Sequence, residues 1–428
     1  MAIDQKNIFV YENFSSVEPQ LMGTLFVDHI RGRENYSFAY DKNWIKNSSY
    51  AISLDPDLQM LDGRQHPFGG KDIFGIFADS SPDRWGRVLM TRRERIIADQ
   101  EGRKPKKLLS SDFLLGVYDE TRMGAIRFKL DEDGPFLSDD DKTPTPPWTS
   151  LRTLEEAARQ FENDESGLEQ QWVKQLIKPG SSLGGARPKA TVRDMEGNLW
   201  IAKFPSKHDE FNVGAWEKVV HDLAKMCELN VPESKLTSFS KYGSTFLVKR
   251  FDRDGDRRIH FASAMTMLGK QDGASAADGT SYLDIVSFIK SNGAQPKKDL
   301  VELWKRIVFS MAVSNTDDHL RNHGFILTKN GWCLSPMYDV NPIPEGYELS
   351  LCVNEDDPTI SIELAIETAP YFDINKQDAA AMAKEIVLTV RNNWEKTAEK
   401  CGFSRAAIER MRPAFAECYN YGMDLPKN

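Results

Sequence analysis

The sequence predicts an α+β chain of two or three domains, and three observations carry that reading. Its 428 residues exceed what one hydrophobic core usually supports, at roughly 150 residues per domain. The first third is patterned as short strands and turns around one helical stretch, whereas the chain beyond about Ile259 is mostly helical. Between the two runs a series of glycine loop, hairpin, lysine-bearing strand, helix and strand.

In chain order, VYENF and TLFVDHI read as strands, and the segment IFGIFADSSPDRWGRVLMTRRERIIADQ turns helical after Pro82. Asp79, Ser80 or Ser81 is the expected cap, with Pro82 in the first turn. The stretch Asp131 to Pro147 holds five aspartates, one glutamate and four prolines, which marks a linker. It closes an N-terminal domain, 1–147; residues 148–255 and 256–428 form the second and third divisions. SLRTLEEAARQFENDES then reads as an acidic amphipathic helix. After the Gly-rich PGSSLGGARPK, strands are expected at Ala190 to Arg193 and Leu199 to Phe204, with a turn at Asp194 to Asn198. A helix follows from about Phe211 to Leu229, then the strand STFLVKRFD. Leu300, Leu303, Trp304, Ile307, Val308 and Met311 recur at steps of three and four, as a buried helix face requires. That helix ends at Ser314 to Asp317, and HGFILTKNGWCLSPMYD pairs two apolar strands around Asn330-Gly331, a strong hairpin signal.

Composition narrows the function classes. Hydrophobic residues make up 40% and charged residues 28%, so the chain is neither disordered nor fibrous. No apolar run approaches the roughly 18 residues of a membrane span, and the first residues show no signal-peptide pattern, so no membrane partner and a cytoplasmic location are expected. Five scattered cysteines without a CxxC pair indicate packed, reduced thiols. A net charge of −9 argues against a surface that grips nucleic acid throughout. One local exception stands out: Arg84 to Lys107 carries nine Lys or Arg against three Asp or Glu. A solvated helix face accounts for it more simply than base reading does.

Chemistry concentrates around the hairpin. Asp317 and Asn322 precede it with D-x-x-x-x-N spacing, and Asp339 follows it. Phosphoryl transfer from a nucleotide needs a carboxylate to orient the acceptor hydroxyl and oxygen ligands for Mg²⁺, which protein kinases supply in that order. Upstream, Gly180, Gly184 and Gly185 precede Lys203 on a strand, as a phosphate-covering loop and phosphate-binding lysine would. Each piece alone has a bland explanation as turn, loop or solvated lysine. Their joint occurrence in kinase order is what those explanations do not predict. His319 and His323 lie four apart, yet HLRNH lacks the glutamate of the zinc motif, so a zinc site is not expected.

At these residues the sequence resembles the HipA family of serine/threonine kinase toxins from bacterial toxin–antitoxin modules. The matching pieces are FGIFADSSPDRWGR, SSLGGARPKA, VKRFDR, SNTDDHLRNHGF and LSPMYDVNP, spread from about residue 70 to 345 in the family's order. The resemblance implies a protein-kinase-like two-lobed fold with an N-terminal β-rich subdomain and a mainly helical C-terminal lobe. It implies Asp317 as the catalytic aspartate, and Asn322 and Asp339 as Mg²⁺ ligands. ATP would be held by Gly184, Gly185, Ala186, Arg187, Lys189 and Lys203, and by a hinge of Lys249, Arg250 and Phe251 acting largely through backbone groups. His319 and Tyr338 would line the nucleotide site. Glu217 is either the ion-pair partner of Lys203 or a solvated helix residue. Ser182, with Ser181 adjacent, aligns with a serine that such kinases autophosphorylate, and a phosphate there would repel ATP from the loop. Arg187, Pro188 and Lys249 depart from residues common in the family.

The implied partners are a helix-turn-helix antitoxin of the HipB type, operator DNA reached mainly through that antitoxin, and a protein substrate in translation such as an aminoacyl-tRNA synthetase. Two rival readings remain at this stage: a kinase for lipid- or sugar-type small molecules, and a non-catalytic antitoxin-binding module.

Overall fold

The computed structural model describes residues 4–47, 52–138, 145–163, 175–176 and 185–421. Two compact units emerge: Met1–Glu210 with Phe239–Ala262, and Phe211–Ser238 with Ser263–Asn428. The architecture is α+β, with the β-sheet subdomain at the N-terminus and helices dominating the C-terminal part.

In the first unit, strands Asp4–Glu12, Gln20–Ile30, Arg33–Tyr40 and Ile126–Lys129 form an antiparallel sheet. The strand Asp4–Glu12 lies between Gln20–Ile30 and Ile126–Lys129. Alternation decides the faces: Ile8, Val10, Leu25, Val27, Phe38 and Phe128 are buried along these strands. The same unit holds the antiparallel strands Lys189–Arg193, Leu199–Lys203 and Gly243–Lys249. Lys203 stands opposite Lys189 on one side and Phe246 on the other. Helices Arg84–Gln100 and Leu151–Asn163 share one core with these strands, in which Trp85, Leu89, Leu154, Phe161, Trp200 and Leu247 meet. The segments before and after the expected linker at 131–147 therefore share a core, and its residues 139–144 lie outside the described ones.

The helix Arg84–Gln100 is capped by Asp83, whose side chain accepts from the Gly86 amide at 2.7 Å. The expected caps fall elsewhere: Asp79 closes a separate short helix, Gly75–Asp79, and Ser80 and Ser81 return their hydroxyls to Ile76 and Phe77 carbonyls. Pro82 precedes the cap instead of opening the first turn. Much of the basic stretch is spent internally. Arg92 donates to the Phe161 carbonyl and lies over its ring, Arg103 pairs with Glu94, and Lys106 pairs with Asp112. Arg84, Arg93, Arg95, Lys104 and Lys107 stay exposed.

In the second unit the helix Pro296–Ala312 buries the predicted face, with Leu303, Trp304 and Val308 fully enclosed. The helix Val213–Met226 belongs here too, and Trp216 stacks on Phe403 at 4.2 Å between ring centroids. Strands Gly324–Thr328 and Gly331–Leu334 form the predicted hairpin, with Thr328 opposite Gly331. The turn is thus Lys329-Asn330, one residue earlier than the Asn-Gly signal places it. Gly331 opens the return strand at φ 131°, where a Cβ would lie 2.8 Å from the Asn292 carbonyl. All five cysteines are free, and four are buried. Among the described residues no helix is long and apolar enough to cross a membrane.

One buried ion cluster ties the first unit together. Asp252, fully enclosed, accepts from the Arg250 and Arg253 guanidinium groups and from the Gly124 amide. Arg250 in turn donates to the Thr121 and Arg122 carbonyls, joining the two sheet regions. Burial alone would raise the Asp252 carboxyl, but the two guanidinium groups outweigh it and hold it well below the usual carboxylate range. Replacing it with Asn leaves buried cations uncompensated, so Asp252→Asn is expected to destabilise the first unit by about 3–5 kcal/mol in urea unfolding at neutral pH. A depressed folded pKa stabilises above the unfolded value of about 4 and is lost below it. The difference between wild type and variant should therefore shrink as pH falls below about 4.

Candidate active site

Asp317 and Asp318 follow one another, yet the fold gives them opposite environments. Asp318 is enclosed, with its side chain 6% exposed, while that of Asp317 is 70% exposed. Tyr282 donates its hydroxyl to Asp318 at 2.7 Å, Ser310 donates at 3.3 Å, and His323 pairs with it at 3.0 Å. Burial would push the Asp318 carboxyl up, but His323 and the two hydroxyls more than offset this, and the net shift is down. An ionised Asp318 thus pins the loop between the helices Tyr282–Asn292 and Pro296–Ala312, to which Tyr282 and Ser310 belong.

The loop closes on itself through its backbone. The Asn322 side-chain amide donates to the Asp317 carbonyl at 2.8 Å, the His319 amide donates to the same oxygen, and the Asn322 amide donates to the His319 carbonyl. With its NH₂ group so engaged, Asn322 keeps its amide oxygen as an acceptor not taken by a hydrogen bond among the described residues. His319 Nε2 sits 3.8 Å from Asp317 Oδ1, and its Nδ1 is buried with no hydrogen-bond partner among the described residues. Partial burial lifts the Asp317 carboxyl despite its exposed side; His319 opposes the rise, and Asp339 and Asp318 add to it.

Asp339 is carried by the segment leaving the hairpin. Its φ of 57° is left-handed, a conformation that Asp tolerates better than most residues. Two residues on, the Asn341 amide donates to Asn315 Oδ1, and the Ile343 amide donates to the Ser314 carbonyl, so this segment is laced to the loop bearing Asp317. Gly346 lies against Thr316, where an added Cβ would stand 2.2 Å from the threonine methyl. Tyr338 donates its hydroxyl to the Arg321 carbonyl at 2.8 Å. Asp317, His319, Asn322, Tyr338 and Asp339 are thereby gathered within the second unit.

Asp317 and Asp339 are near enough for the Asp339 charge to raise the Asp317 carboxyl, and carboxylate oxygens are hard donors of the kind Mg²⁺ takes. Among the described residues no three His, Cys, Asp or Glu side chains cluster as a metal site.

The remaining site residues belong to the first unit. Lys203 is buried, 8% exposed, at the end of its strand. Lys189 is enclosed and pairs with Asp83 at 2.9 Å, while the Trp85 indole donates to the Lys189 carbonyl. Arg187 makes a two-pronged contact with Asp209. Two of the three cations expected on nucleotide phosphates thus have carboxylate partners, Arg187 in Asp209 and Lys189 in Asp83. Gly185, at φ 94°, and Ala186 begin the described part of the loop; Gly180, Ser181, Ser182 and Gly184 lie outside the described residues. In the expected hinge, the Arg250 amide is taken by the Leu199 carbonyl and its guanidinium by Asp252, and Phe251 packs against Phe261. Lys249 ends its strand half-buried. Glu217, in the second unit, is 4% exposed, which excludes a solvated helix glutamate.

Comparison with known proteins gives two family matches. A family model described as the HipA N-terminal domain matches residues 17–129, and one described as the HipA-like C-terminal domain matches residues 181–418. A putative kinase of Haemophilus influenzae is 30% identical over 204 residues, 42% of this chain and 58% of that protein. The chain therefore aligns with little more than half the length of that relative. The serine/threonine-protein kinase toxin HipA of Shewanella oneidensis is 26% identical over 213 residues, 42% of this chain and 48% of the toxin. In fold, the chain is similar to the Shewanella oneidensis HipA solved with HipB and operator DNA, at a TM-score of 0.68, 16% identity and 97% coverage of both chains.

The Asp318 anchor is open to direct test. Tyr282→Phe removes one hydroxyl donor from a buried charge and is expected to cost about 1.5–3 kcal/mol. Hydrogen exchange should accelerate at the amides of His319 and Asn322 while the first unit keeps its protection. Unchanged exchange there would show that Tyr282 does not hold the loop.

Proposed function

The chain belongs to the HipA family, and from that premise we propose that it is an ATP-dependent serine/threonine-protein kinase acting as the toxin of a toxin–antitoxin module. The observation that carries the reading is the loop in which Asp317 stays open to solvent while Asp318, its neighbour, is buried as an anchor. An exposed, fixed carboxylate can orient a serine or threonine hydroxyl and accept its proton at Oδ. Asn322 and Asp339 would hold Mg²⁺, which neutralises phosphate charge when bound. His319 is assigned to the nucleotide site by motif position. Lys203 and the loop at Gly184, Gly185 and Ala186 are assigned the ATP phosphates, and Lys249 to Phe251 the adenine, by motif position. Ser182 or Ser181 is assigned autophosphorylation, which would switch the kinase off by repulsion.

The same reading gives this chain a HipB-type helix-turn-helix antitoxin and, through it, operator DNA. The exposed cations Arg84, Arg93, Arg95, Lys104 and Lys107 are too few to grip DNA tightly without that partner. The substrate is a protein of the translation apparatus in the bacterial cytoplasm, with an aminoacyl-tRNA synthetase as the first target to test.

Purified protein incubated with radiolabelled ATP and Mg²⁺, alone and with cell extract, checks the assignment. Wild type should label itself and one extract protein. Asp317→Ala should reduce both by about 100-fold or more, as loss of a positioned acid–base group does. Ser182→Ala should lose the self-label and keep transfer to the extract protein. Labelling by Asp317→Ala at the wild-type rate would remove Asp317 from the chemistry.

A further inference from the structure

Two motifs far apart in sequence meet inside the first unit. SPDRW ends at Trp85, and GARPK ends at Lys189, 104 residues later. Three contacts join them. The Lys189 ammonium donates to Asp83 Oδ2 at 2.9 Å, the Trp85 indole donates to the Lys189 carbonyl at 3.1 Å, and the Trp85 amide donates to the Gly185 carbonyl at 3.4 Å. These contacts are enclosed: the side chains of Asp83 and Lys189 are 5% and 2% exposed, and Trp85 meets Phe161 edge-on in the core.

Asp83 serves both motifs. Its Oδ1 accepts from the Gly86 amide at 2.7 Å and caps the helix Arg84–Gln100, while its Oδ2 holds Lys189. Lys189 in turn reaches back towards the start of its own stretch: a Cβ on Gly185, whose φ is 94°, would stand 3.3 Å from the ammonium. Between them Arg187 is braced by Asp209, and the Pro188 carbonyl accepts from the Phe204 amide. Lys189 also lies opposite Lys203 across the strand pair. Residues 185–189 are thus fixed at both ends, beside the lysine assigned to the ATP phosphates.

Motif position makes Lys189 a candidate phosphate ligand, and its surroundings argue otherwise. Turning the ammonium to a phosphate would leave the Asp83 charge in the core without its cation, which a fold tolerates poorly. What the ion pair supplies instead is order. A stretch already in place when the nucleotide arrives needs none of the binding energy to arrange it.

We propose that Asp83 is a positioning residue of the nucleotide site, acting through Lys189 and Trp85 to hold residues 185–189 ready for ATP. Lys189 is then part of the brace and makes no phosphate contact. The consequence for ATP rests on the kinase assignment; the contacts themselves do not. Without the brace, ATP binding has to supply the order, so the loss falls on ATP affinity while saturating ATP restores the rate.

Asp83→Asn keeps a cap oxygen for the Gly86 amide and removes the charge that holds Lys189. In the labelling assay on the full chain it should raise the ATP concentration for half-maximal rate about tenfold, as when the ready arrangement falls to about one-tenth of molecules, and leave the limiting rate within about twofold. Lys189→Met should do the same, and the double variant should be no worse than either single one, because all three lose the same contact. The double variant leaves no unpaired charge in the core, so it carries the test where a single variant fails to fold. Hydrogen exchange of the ATP-free chain should accelerate at the Ala186 and Arg187 amides in each variant, with the Gly86 amide still protected in Asp83→Asn. A lower half-maximal ATP concentration in Asp83→Asn, a multiplied effect in the double variant, a fall confined to the limiting rate, or unchanged exchange overturns the proposal. A wild type that binds no ATP fails the kinase assignment instead, and exchange at Ala186 and Arg187 then decides whether the brace exists.

Discussion

The loop that carries the candidate chemistry depends on a carboxylate that takes no part in it. Asp318 is buried and ionised among Tyr282, Ser310 and His323, and this holds the preceding residue in a fixed position at the surface. Had Asp317 been the enclosed member of the pair, its charge would have been spent on structure. Placing one aspartate inside and the next outside separates anchoring from reactivity over a single peptide unit. Burying a charge this deeply is tolerable only with several donors around it, which is why two helices contribute to the network.

Spacing singled out the candidate residues but not their support. D-x-x-x-x-N points to Asp317 and Asn322 because protein kinases carry an Asp and an Asn at that interval for Mg²⁺-assisted phosphoryl transfer. Nothing in the pair Asp317-Asp318 says which will be buried, since that depends on Tyr282, 36 positions before Asp318 in sequence. The long helix at Pro296–Ala312 was readable from its apolar period, while its neighbour's Tyr282 carries no period of its own. Turn signals located the hairpin yet missed its centre by one residue, because Gly331 is required by the approach of the Asn292 carbonyl and not by the turn.

The first unit shows a related limit. The glycine loop and Lys189 read as a phosphate-binding stretch on chain order alone. What order cannot reveal is that Asp83, through the fold, both caps a helix and neutralises Lys189, so that one carboxylate joins two distant motifs. The acidic, Pro-rich stretch was equally ambiguous: its composition signals exposed chain, which is not the same as a break in packing. The helices on either side of it, Arg84–Gln100 and Leu151–Asn163, contribute to a single core.

Charge segregation connects these observations. A chain of net −9 exposes some of its arginines along one helix and buries others around Asp119 and Asp252. The buried set outnumbers its carboxylates, and a fold with that surplus can respond in only a few ways. It can lower the affinity of the guanidinium groups for protons, which burial already does at Arg253 and Arg258, or it can admit a counter-charge. An arginine resists the first route because its intrinsic proton affinity is so high. The second is met inside the fold, where Asp119 accepts from Arg127 and Arg258 and Asp252 accepts from Arg250 and Arg253.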